Sequence, residues 1–410
     1  MRNIISFDKA IESIKNLDLP SPTKQKLFIS DALGFVLAED IKAKENSPAF
    51  ETSGMDGYAF CHDNLSKNIN EIKLKILGDN PAGSENCIKL EKNTCIKTFT
   101  GSLMPKGSDT LIPIENVEVQ GDCILIIKEV PKGFAIRPIG ENYKLDEMLI
   151  KKDTKISYAQ VGVLASLNIS QVLVYKKPLV SIVGTGSEVL DLGEPQTNHS
   201  QIRSSNHLAI EALAKNLGAS TLQLGLVKDD IDSIKALFKD ALNTSDILVT
   251  TGGVSVGDYD FVQDVIKNDL DAEVLFHGIN MKPGMHVLLA RKDNKIILAL
   301  PGFAYSCVVC AILFLLPLIK QFSKEKLELK QIKAKMEVDF KKANKKRIFT
   351  ACNVRYKNGE FLLNFDGKKQ GTSAILSNLL GNPALLVQYE DDKDLKAGDL
   401  VDVMLIDTIY

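Results

Sequence analysis

The chain has 410 residues, of which 45% are hydrophobic and 25% charged, and its formal net charge is −2. This length allows two to four domains with cores of their own, and the near-neutral charge excludes a dispersed basic surface for nucleic acid. The N-terminus becomes polar by Ser6 and lacks the apolar stretch of a signal peptide, so we expect a cytoplasmic protein that does not bind membranes.

The N-terminal third predicts two helices followed by a β-rich domain. The helices are expected at 7–17 and 21–33. Between about 47 and 145, the stretches EIKLKIL, CIKTFT and CILIIKEV alternate with Gly and Pro turns and predict short strands. Asp56 in MDGY and Thr100 in FTG stand at turns, where hydrogen bonds to their own backbone are sufficient to explain them.

From Pro178, strands and helices alternate, which predicts a doubly wound α/β domain with a parallel sheet. LVSIVGTGSE, TLQLGLVKDD and DILVTTGGVSVGD each contain one predicted strand, and HVLLARKDNKIILALPG contains two. The first helix, in SSNHLAIEALAKNLGA, has Ser204 or Ser205 as its expected N-cap, and IDSIKALFKDALNTS is the second.

The apolar run 303–319 predicts a buried helix, because it is short for a bilayer span and contains Pro317. Its Cys307 and Cys310 lack the partner ligands of a zinc site, so we expect buried thiols there, and the seven cysteines are expected to be reduced. From about 327, alternating residues and the Asn358-Gly359 turn predict a small antiparallel β domain.

Several polar loops follow predicted strand ends and should converge at one edge of the sheet, at 184–188, 228–230, 251–260 and 300–303. They carry the acidic residues Glu188, Asp229, Asp230, Asp258 and Asp260. Carboxylates gathered at one edge favour a Mg²⁺ ion that bridges phosphate oxygens. For each acid taken alone, capping of the following helix is the alternative interpretation.

The segment TTGGVSVGDYDF suits an anion. Gly252 and Gly253 would allow backbone N–H groups to approach it, Ser255 adds a hydroxyl, and Lys282 in NMKPG adds a positive charge. These groups favour a nucleotide pyrophosphate or an oxyanion. The chain has neither the GxxxxGK[ST] motif of P-loop NTPases nor the GxGxxG motif of dinucleotide-binding dehydrogenases.

In order and spacing, seven motifs resemble the molybdopterin molybdenumtransferase family, the molybdenum insertases of cofactor biosynthesis. They are DALGFVLAEDIKA, PAFETSGMDGYAF, FTGSLMPKG, VGTGSEV, TGGVSVGDYDF, NMKPG and LPG. The resemblance covers almost the whole chain and implies a multidomain α/β plus β protein. Its regions would be an elongated N-terminal domain (1–45 with 145–177), an inserted β-rich domain (46–144), a molybdopterin-binding, Mog-like α/β domain (178–323) and a C-terminal β-barrel (327–410).

The resemblance also implies the reaction. Adenylylated molybdopterin and molybdate are the implied substrates; with Mg²⁺, AMP is released and the dithiolene sulfurs capture molybdenum. A homodimer is implied, with each active site formed by the α/β domain of one subunit and the inserted domain of the other. Other cofactor-biosynthesis proteins, including molybdopterin adenylyltransferase, are implied partners.

Carried over by motif, the resemblance implies two sets of site residues. The catalytic set is Asp56, Thr100, Glu188, Asp229 and Asp260, with Glu188, Asp229 and Asp260 as metal ligands and Asp229 preferred over Asp230. The substrate-binding set is Arg137, Gly252, Gly253, Ser255, Lys282, Pro301 and Gly302.

Four positions depart from the family pattern. Asn142 follows Glu141 where aspartate is usual, Phe303 and Ala304 replace the last two residues of PGNP, and Met285 replaces a lysine. The loss of one charge-assisted contact is worth about 1.5 to 3 kcal/mol. An insertase-like paralogue with altered activity, acting as a binding partner, is therefore the alternative. A molybdopterin adenylyltransferase is less favoured, because such enzymes generally lack the MDGYA domain.

Overall fold

The structure, a computed structural model, describes residues 4–65, 72–84, 88–254, 261–326, 331–369, 371, 373–381 and 383–406. The α-helices are α1 (Phe7–Lys15), α2 (Tyr158–Ser166), α3 (Asn206–Asn216), α4 (Ile231–Thr244), α5 (Phe261–Asp264), α6 (Ala304–Cys310) and α7 (Leu316–Phe322). Two π-helical segments, Val265–Asp269 and Ala311–Leu315, continue α5 and α6. Short 3₁₀ turns lie at His62–Asn64, Ile114–Asn116 and Leu376–Leu379.

The strands are as follows. In the N-terminal part they are β1 (Lys24–Phe28), β2 (Ile41–Lys42), β3 (Thr52–Ser53), β4 (Gly57–Phe60), β5 (Lys73–Asn80), β6 (Thr94–Thr98), β7 (Thr110–Pro113), β8 (Val117–Gln120), β9 (Cys123–Ile126), β10 (Ile136–Arg137) and β11 (Met148–Ile150). In the central part they are β12 (Gln171–Tyr175), β13 (Leu179–Thr185), β14 (Val189–Leu190), β15 (Ile202–Arg203), β16 (Ser220–Val227), β17 (Ile247–Thr251), β18 (Glu273–His277), β19 (Met281–Lys282), β20 (Leu288–Lys292) and β21 (Lys295–Leu300). The C-terminal strands are β22 (Gln331–Met336), β23 (Arg347–Lys357), β24 (Glu360–Asn364), β25 (Pro383–Gln388) and β26 (Leu400–Leu405).

The described residues form two compact units. The first unit draws on Met1–Ala38, Asp153–Ser157 and Gln171–Tyr410, and the second on Glu39–Lys152 and Tyr158–Ser170. The second unit contains a six-stranded sheet in the order β7-β4-β6-β5-β9-β8 over a core that includes Phe60 and Ile124. The three strands predicted here, in EIKLKIL, CIKTFT and CILIIKEV, are confirmed as β5, β6 and β9.

The first unit is built on a six-stranded sheet in the order β16-β13-β17-β21-β20-β18. Successive residues of its central strands enter opposite cores, because side chains alternate across a strand. Val249 packs with Ile210 of α3 on one face, while Leu248 packs with Phe238 of α4 on the other. Helices on both faces confirm the predicted doubly wound α/β domain. The expectation of a wholly parallel sheet was wrong, since β20 and β18 run antiparallel at one edge.

The predicted helix 21–33 is also wrong, because this segment contains strand β1. β1 pairs antiparallel with β12, with Lys24 opposite Tyr175 and Phe28 opposite Gln171. Its residues alternate between exposed and half-buried positions, as in a strand with one packed face. The partner strand lies far away in the chain, so local sequence could not reveal the pairing.

The apolar run near residue 310 is a core helix, as predicted. The helical stretch Ala304–Phe322 is long and apolar enough to cross a membrane by length and composition, but most of its residues are buried inside the protein. Cys307 and Cys310 are fully buried, and burial raises the pKa of both thiols far above the usual value. Raised pKa values and the absence of solvent contact indicate packing roles for both sulfurs.

The C-terminal strands close into a barrel. β23, β24, β22, β26 and β25 are hydrogen-bonded in that order, and β25 pairs back with β23. The predicted hairpin is present, with Asn358 and Gly359 at φ values of 52° and 85° between β23 and β24. This topology confirms the predicted C-terminal β-barrel.

Candidate active site

A cavity of about 830 Å³ lies beyond the carboxyl ends of the four parallel strands β16, β13, β17 and β21. All four predicted loops contribute to it. Its lining includes Gly184, Thr185, Gly186, Glu188, Asp229, Thr251, Gly252, Gly253, Pro301, Gly302, Phe303 and Ala304. The described parts of the strand-end loops thus converge, as the alternation of strands and helices predicts.

The Asp229-Asp230 pair is divided between two roles. Asp229 lines the cavity, and its Oδ2 accepts a hydrogen bond from the Ser187 N–H at 2.9 Å, while the Asp229 N–H donates to Ser187 Oγ at 3.1 Å. Asp230 is the N-cap of α4, with Oδ2 accepting from the Ser233 N–H at 2.9 Å. Hydrogen bonds from Ser233 lower the pKa of Asp230 below its usual value. Asp229 is therefore the residue of this pair that is placed to meet a ligand.

The two glycines are required by close packing. A Cβ atom at Gly252 would lie 2.8 Å from the Thr185 carbonyl oxygen, and one at Gly253 would lie 2.7 Å from the Val262 side chain. Both residues also have positive φ, at 94° and 63°. The N–H of Gly252 itself donates to the Leu300 carbonyl at 3.0 Å.

The N-terminus of α3 is part of the cavity, which the sequence interpretation missed. Ser204, Ser205 and Asn206 line it, and Asn206 Nδ2 donates to the Gly302 carbonyl at 2.7 Å. Ser205 is the N-cap residue but makes no side-chain cap hydrogen bond. The sequence pattern predicted only that one of the two serines caps the helix. This helix follows a strand of the parallel sheet, and helices in that position begin at the edge where ligands bind, which was the available signal that these residues reach the site.

Lys282 is not among the residues that line this cavity, which corrects the expectation that it joins the glycine loop. β19, which contains Lys282, pairs with β23 of the barrel and so draws this lysine toward the C-terminal strands. There Lys282 lines a second cavity of about 330 Å³, together with Lys341, Lys368 and Lys369. Residues adjacent in sequence line the two cavities: Ala304 and Ala374 line the first, and Tyr305 and Ser373 line the second.

The second cavity is positively charged and contains a buried amide. None of its described lining residues is acidic. Gln388 is 1% exposed, and neither its amide nitrogen nor its amide oxygen has a hydrogen-bond partner in the described part of the chain. A buried polar group normally has a partner, so Gln388 is suited to pair with a ligand.

Two of the four departures from the family pattern lie at the first cavity, and a third lies beside a lysine of the C-terminal region. Phe303, which is 65% exposed, and Ala304 both line the first cavity. Lys346 Nζ lies 3.1 Å from the sulfur of Met285. A positive charge from the C-terminal region is therefore present beside the position where the lysine side chain is replaced.

In the second unit, Asp56 and Thr100 contact each other directly. The backbone N–H and the hydroxyl of Thr100 both donate to Asp56 Oδ1, at 2.8 and 2.7 Å. These two bonds hold the pKa of Asp56 below its usual value of 3.8. The two turns bond to each other, rather than each only to its own backbone, and leave the second carboxylate oxygen of Asp56 at an exposed surface.

Arg137 lies beside the same turn. β10 pairs with β3, which places Arg137 opposite Thr52, and a Cβ at Gly54 would be 3.6 Å from the Arg137 side chain. Arg137 Nε forms an ion pair with Glu141 Oε2 at 2.5 Å, and both side chains are more than 40% exposed. Arg137 and Asp56 thus belong to one polar surface formed around residues 52–56.

Three predicted site residues, Ser255, Asp258 and Asp260, lie outside the described residues. In the described part of the chain, no group of three or more His, Cys, Asp or Glu residues could hold a metal. Glu188 and Asp229 are the two members of the predicted metal set that the structure places on one cavity.

Two family models together match most of the chain. Residues 5–168 match a family model described as the MoeA N-terminal region (domain I and II), and residues 181–321 match a probable molybdopterin binding domain. A molybdopterin molybdenumtransferase of Staphylococcus aureus (strain Mu50 / ATCC 700699) is 31% identical over 414 residues, covering 99% of this chain and 97% of that protein. The protein of the same name from Bacillus subtilis (strain 168) is 29% identical, covering 99% and 95%.

A crystal structure of a molybdopterin biosynthesis moeA protein from Pyrococcus horikoshii OT3 matches 98% of this chain and all of that chain, with a TM-score of 0.82 and 26% identity. The α/β unit with its strand-end cavity, the inserted β sheet and the C-terminal barrel define a multidomain molybdopterin-binding type of protein. Within that class, the chain belongs to the molybdopterin molybdenumtransferase family.

Proposed function

We propose that this chain is a molybdopterin molybdenumtransferase and acts in molybdenum cofactor biosynthesis. It would take adenylylated molybdopterin and molybdate, release AMP and leave molybdenum on the dithiolene sulfurs. The full-length similarity to proteins of that name supports the activity. The observation that carries the proposal is the cavity at the carboxyl ends of the parallel strands, which brings Glu188 and Asp229 next to the glycine turn.

The first cavity would bind the nucleotide part of the substrate. It lies at the N-terminus of α3, an 11-residue helix whose free N–H groups and dipole favour an anion. Gly252 and Gly253 keep the floor of the cavity free of side chains. Asn206 of α3 is hydrogen-bonded to the Gly302 carbonyl, so the start of the helix and the strand-end loop would together form the surface that contacts the ligand.

The carboxylates of the first cavity fit Mg²⁺. This ion is commonly held by one or two carboxylates plus substrate phosphates and water, so Glu188 and Asp229 form a sufficient protein donor set. Ser187 orients one oxygen of Asp229 through its N–H, which leaves the other oxygen for a metal. When bound, Mg²⁺ would supply charge neutralisation at the phosphoanhydride. Asp260 would be a third ligand by resemblance.

The second cavity would receive molybdate. Molybdate is a dianion, and the four lysines of this cavity provide positive charge without a competing described carboxylate. Gln388 would add one buried donor. Because consecutive residues line the two cavities, a molybdate ion held by Lys282 would lie close to the nucleotide site.

We further propose a cytoplasmic homodimer. In it, Asp56, Thr100 and Arg137 of one subunit would complete the active site at the first cavity of the other subunit. Direct pairing of Asp56 with Thr100 supports a role beyond local turn formation. Molybdopterin adenylyltransferase, which would produce the adenylylated substrate, is the expected partner. The burial of the apolar helix in the core is consistent with a protein outside the membrane.

The test is AMP release from adenylylated molybdopterin in the presence of molybdate and Mg²⁺. We expect release by the unmodified protein and its loss in Glu188→Gln, which keeps the side-chain size but removes the charge. Absence of release by the unmodified, folded protein would reject the insertase function and favour the paralogue that only binds the cofactor intermediate. Adenylylation of molybdopterin from ATP would instead identify an adenylyltransferase.

A further inference from the structure

A line of three polar side chains, with the buried ring of His207 in its middle, reaches the first cavity. Ser204 lines the cavity, and its Oγ lies 2.6 Å from Nδ1 of His207. On the other side of the ring, Nε2 lies 3.3 Å from Oδ1 of Asp191. His207 is 1% exposed, and neither His207 nor Asp191 lines the cavity. The line therefore ends at a single cavity-facing hydroxyl.

Neighbouring elements hold this line in place. His207 lies in the first turn of α3, and its carbonyl accepts from Nε2 of Gln223 on β16 at 3.2 Å. Asp191 follows β14, and its Oδ1 also accepts from the Leu192 N–H at 2.7 Å. The imidazole is packed beneath β13, since a Cβ at Gly184 would be 3.8 Å from Nδ1. The ring consequently has a fixed position between a carboxylate and a hydroxyl.

The partners determine where the protons lie. The Asp191 carboxylate, 3.3 Å from Nε2, favours the tautomer that carries its hydrogen on Nε2, because an ionised carboxylate is negative and only accepts hydrogen bonds. In the neutral ring, Nδ1 then accepts the hydrogen of the Ser204 hydroxyl. The Ser204 hydrogen is thereby directed to His207, and the oxygen lone pairs remain for the cavity.

We propose that Ser204 contacts the bound nucleotide as the acceptor of a hydrogen bond from a sugar hydroxyl, and that His207 and Asp191 are positioning residues for its oxygen. The inference rests on the proposed nucleotide site. A phosphate oxygen is an acceptor and cannot pair with a Ser204 oxygen that is itself an acceptor, whereas a sugar hydroxyl can donate. Ser204 would thus distinguish ribose from deoxyribose, a selectivity separate from the binding of the phosphates.

The experiment compares the affinities of AMP, 2′-deoxy-AMP and 3′-deoxy-AMP by calorimetry in the presence of Mg²⁺. The unmodified protein is expected to bind AMP about three- to tenfold more tightly than the analogue that lacks the hydroxyl bound by Ser204, because one neutral hydrogen bond contributes about this much to affinity. Ser204→Ala should bind AMP and that analogue with equal affinity. His207→Ala should reduce the preference as well, and the double variant should lose no more than Ser204→Ala.

Controls separate this inference from the proposed function. Ser200→Ala, in the exposed loop before β15, removes a hydroxyl that bonds Asn198 and should keep the preference for AMP. Ser204→Thr retains a hydroxyl and should restore the preference. If AMP binds but Ser204→Ala discriminates as well as the unmodified protein, the inference is wrong while the nucleotide site stands. If the unmodified protein binds no AMP, the nucleotide site and the inference both fail.

Discussion

At the scale of single residues, adjacent and chemically identical side chains have different roles because of what they contact. Asp230 caps α4, whereas Asp229, one residue earlier, exchanges two hydrogen bonds with Ser187 and lines the first cavity. Residue type and position could not separate the two members of this pair, because both follow the same strand and precede the same helix; only the family motif favoured Asp229. The separation depends on backbone direction at the strand end.

This difference leads to a prediction for two matched variants. Asp229→Asn should slow AMP release about ten- to hundredfold, the value of one charge-assisted contact. Asp230→Asn removes the same charge but keeps a good N-cap, so it should release AMP at the unmodified rate. Rates are measured at saturating molybdate and Mg²⁺. Equal losses in both variants would contradict the assignment of Asp229 to the cavity.

A second residue-scale prediction concerns Asp56 and Thr100. Thr100 lowers the Asp56 pKa mainly through its backbone N–H and then through its hydroxyl. Thr100→Val removes only the hydroxyl bond, so the pKa should rise partway toward 3.8. Thr100→Ser should leave it unchanged. Because the folded-state pKa is depressed, the stability from the ionised carboxylate is present above the unfolded-state pKa and is lost as pH falls through the folded-state pKa.

The measurement is a carbon-detected NMR titration of the Asp56 carboxyl group from neutral to acidic pH in the three proteins. An Asp56 pKa that is the same in Thr100→Val as in the unmodified protein would show that the hydroxyl does not hold the carboxylate in solution.

At the scale of elements, the local sequence was sufficient to predict those strands and helices whose own residues show a clear apolar pattern. The apolar runs of β17 and β21 and the helical stretch Ala304–Phe322 could be predicted in this way. Segment 21–33 could not, because β1 exists through pairing with the distant β12. Lys282 was misplaced for a similar reason, since its pairing with the barrel strand β23 is not visible in NMKPG.

The turn after β19 allows an element-scale prediction. A Cβ at Gly284 would lie 2.0 Å from the sulfur of Cys310, and φ there is +92°. Gly284→Ala should lower the free energy of unfolding by more than about 1 kcal/mol, since both the steric overlap and the left-handed backbone are unfavourable. Combined with Cys310→Ala, the loss should be smaller than the sum of the single losses, because the alanine side chain leaves room.

Denaturant unfolding of the single and double variants measures this coupling. Cys307→Ala is the matched control, since Cys307 is an equally buried thiol one turn earlier in the same helix. Its effect should add to that of Gly284→Ala. Additive losses for the Cys310 pair would show that the two residues do not pack together.

At the scale of the whole molecule, the proposed homodimer predicts complementation between inactive subunits. Asp56→Asn and Asp229→Asn should each release little AMP as homodimers. A heterodimer of the two, isolated with different affinity tags, contains one site with both native carboxylates and should recover about half of the unmodified activity. A site formed within one chain would give no recovery, and light scattering that shows only monomers would also contradict the proposal.

The central claim is that Glu188 and Asp229 hold a divalent cation against a nucleotide phosphate in the first cavity. A crystal structure with AMP, molybdate and Mn²⁺ in place of Mg²⁺ tests it most directly, because anomalous scattering locates Mn²⁺. We predict Mn²⁺ within bonding distance of a carboxylate oxygen from each residue and of the AMP phosphate. Bound AMP with Mn²⁺ at neither carboxylate, or AMP outside the cavity, would contradict the account.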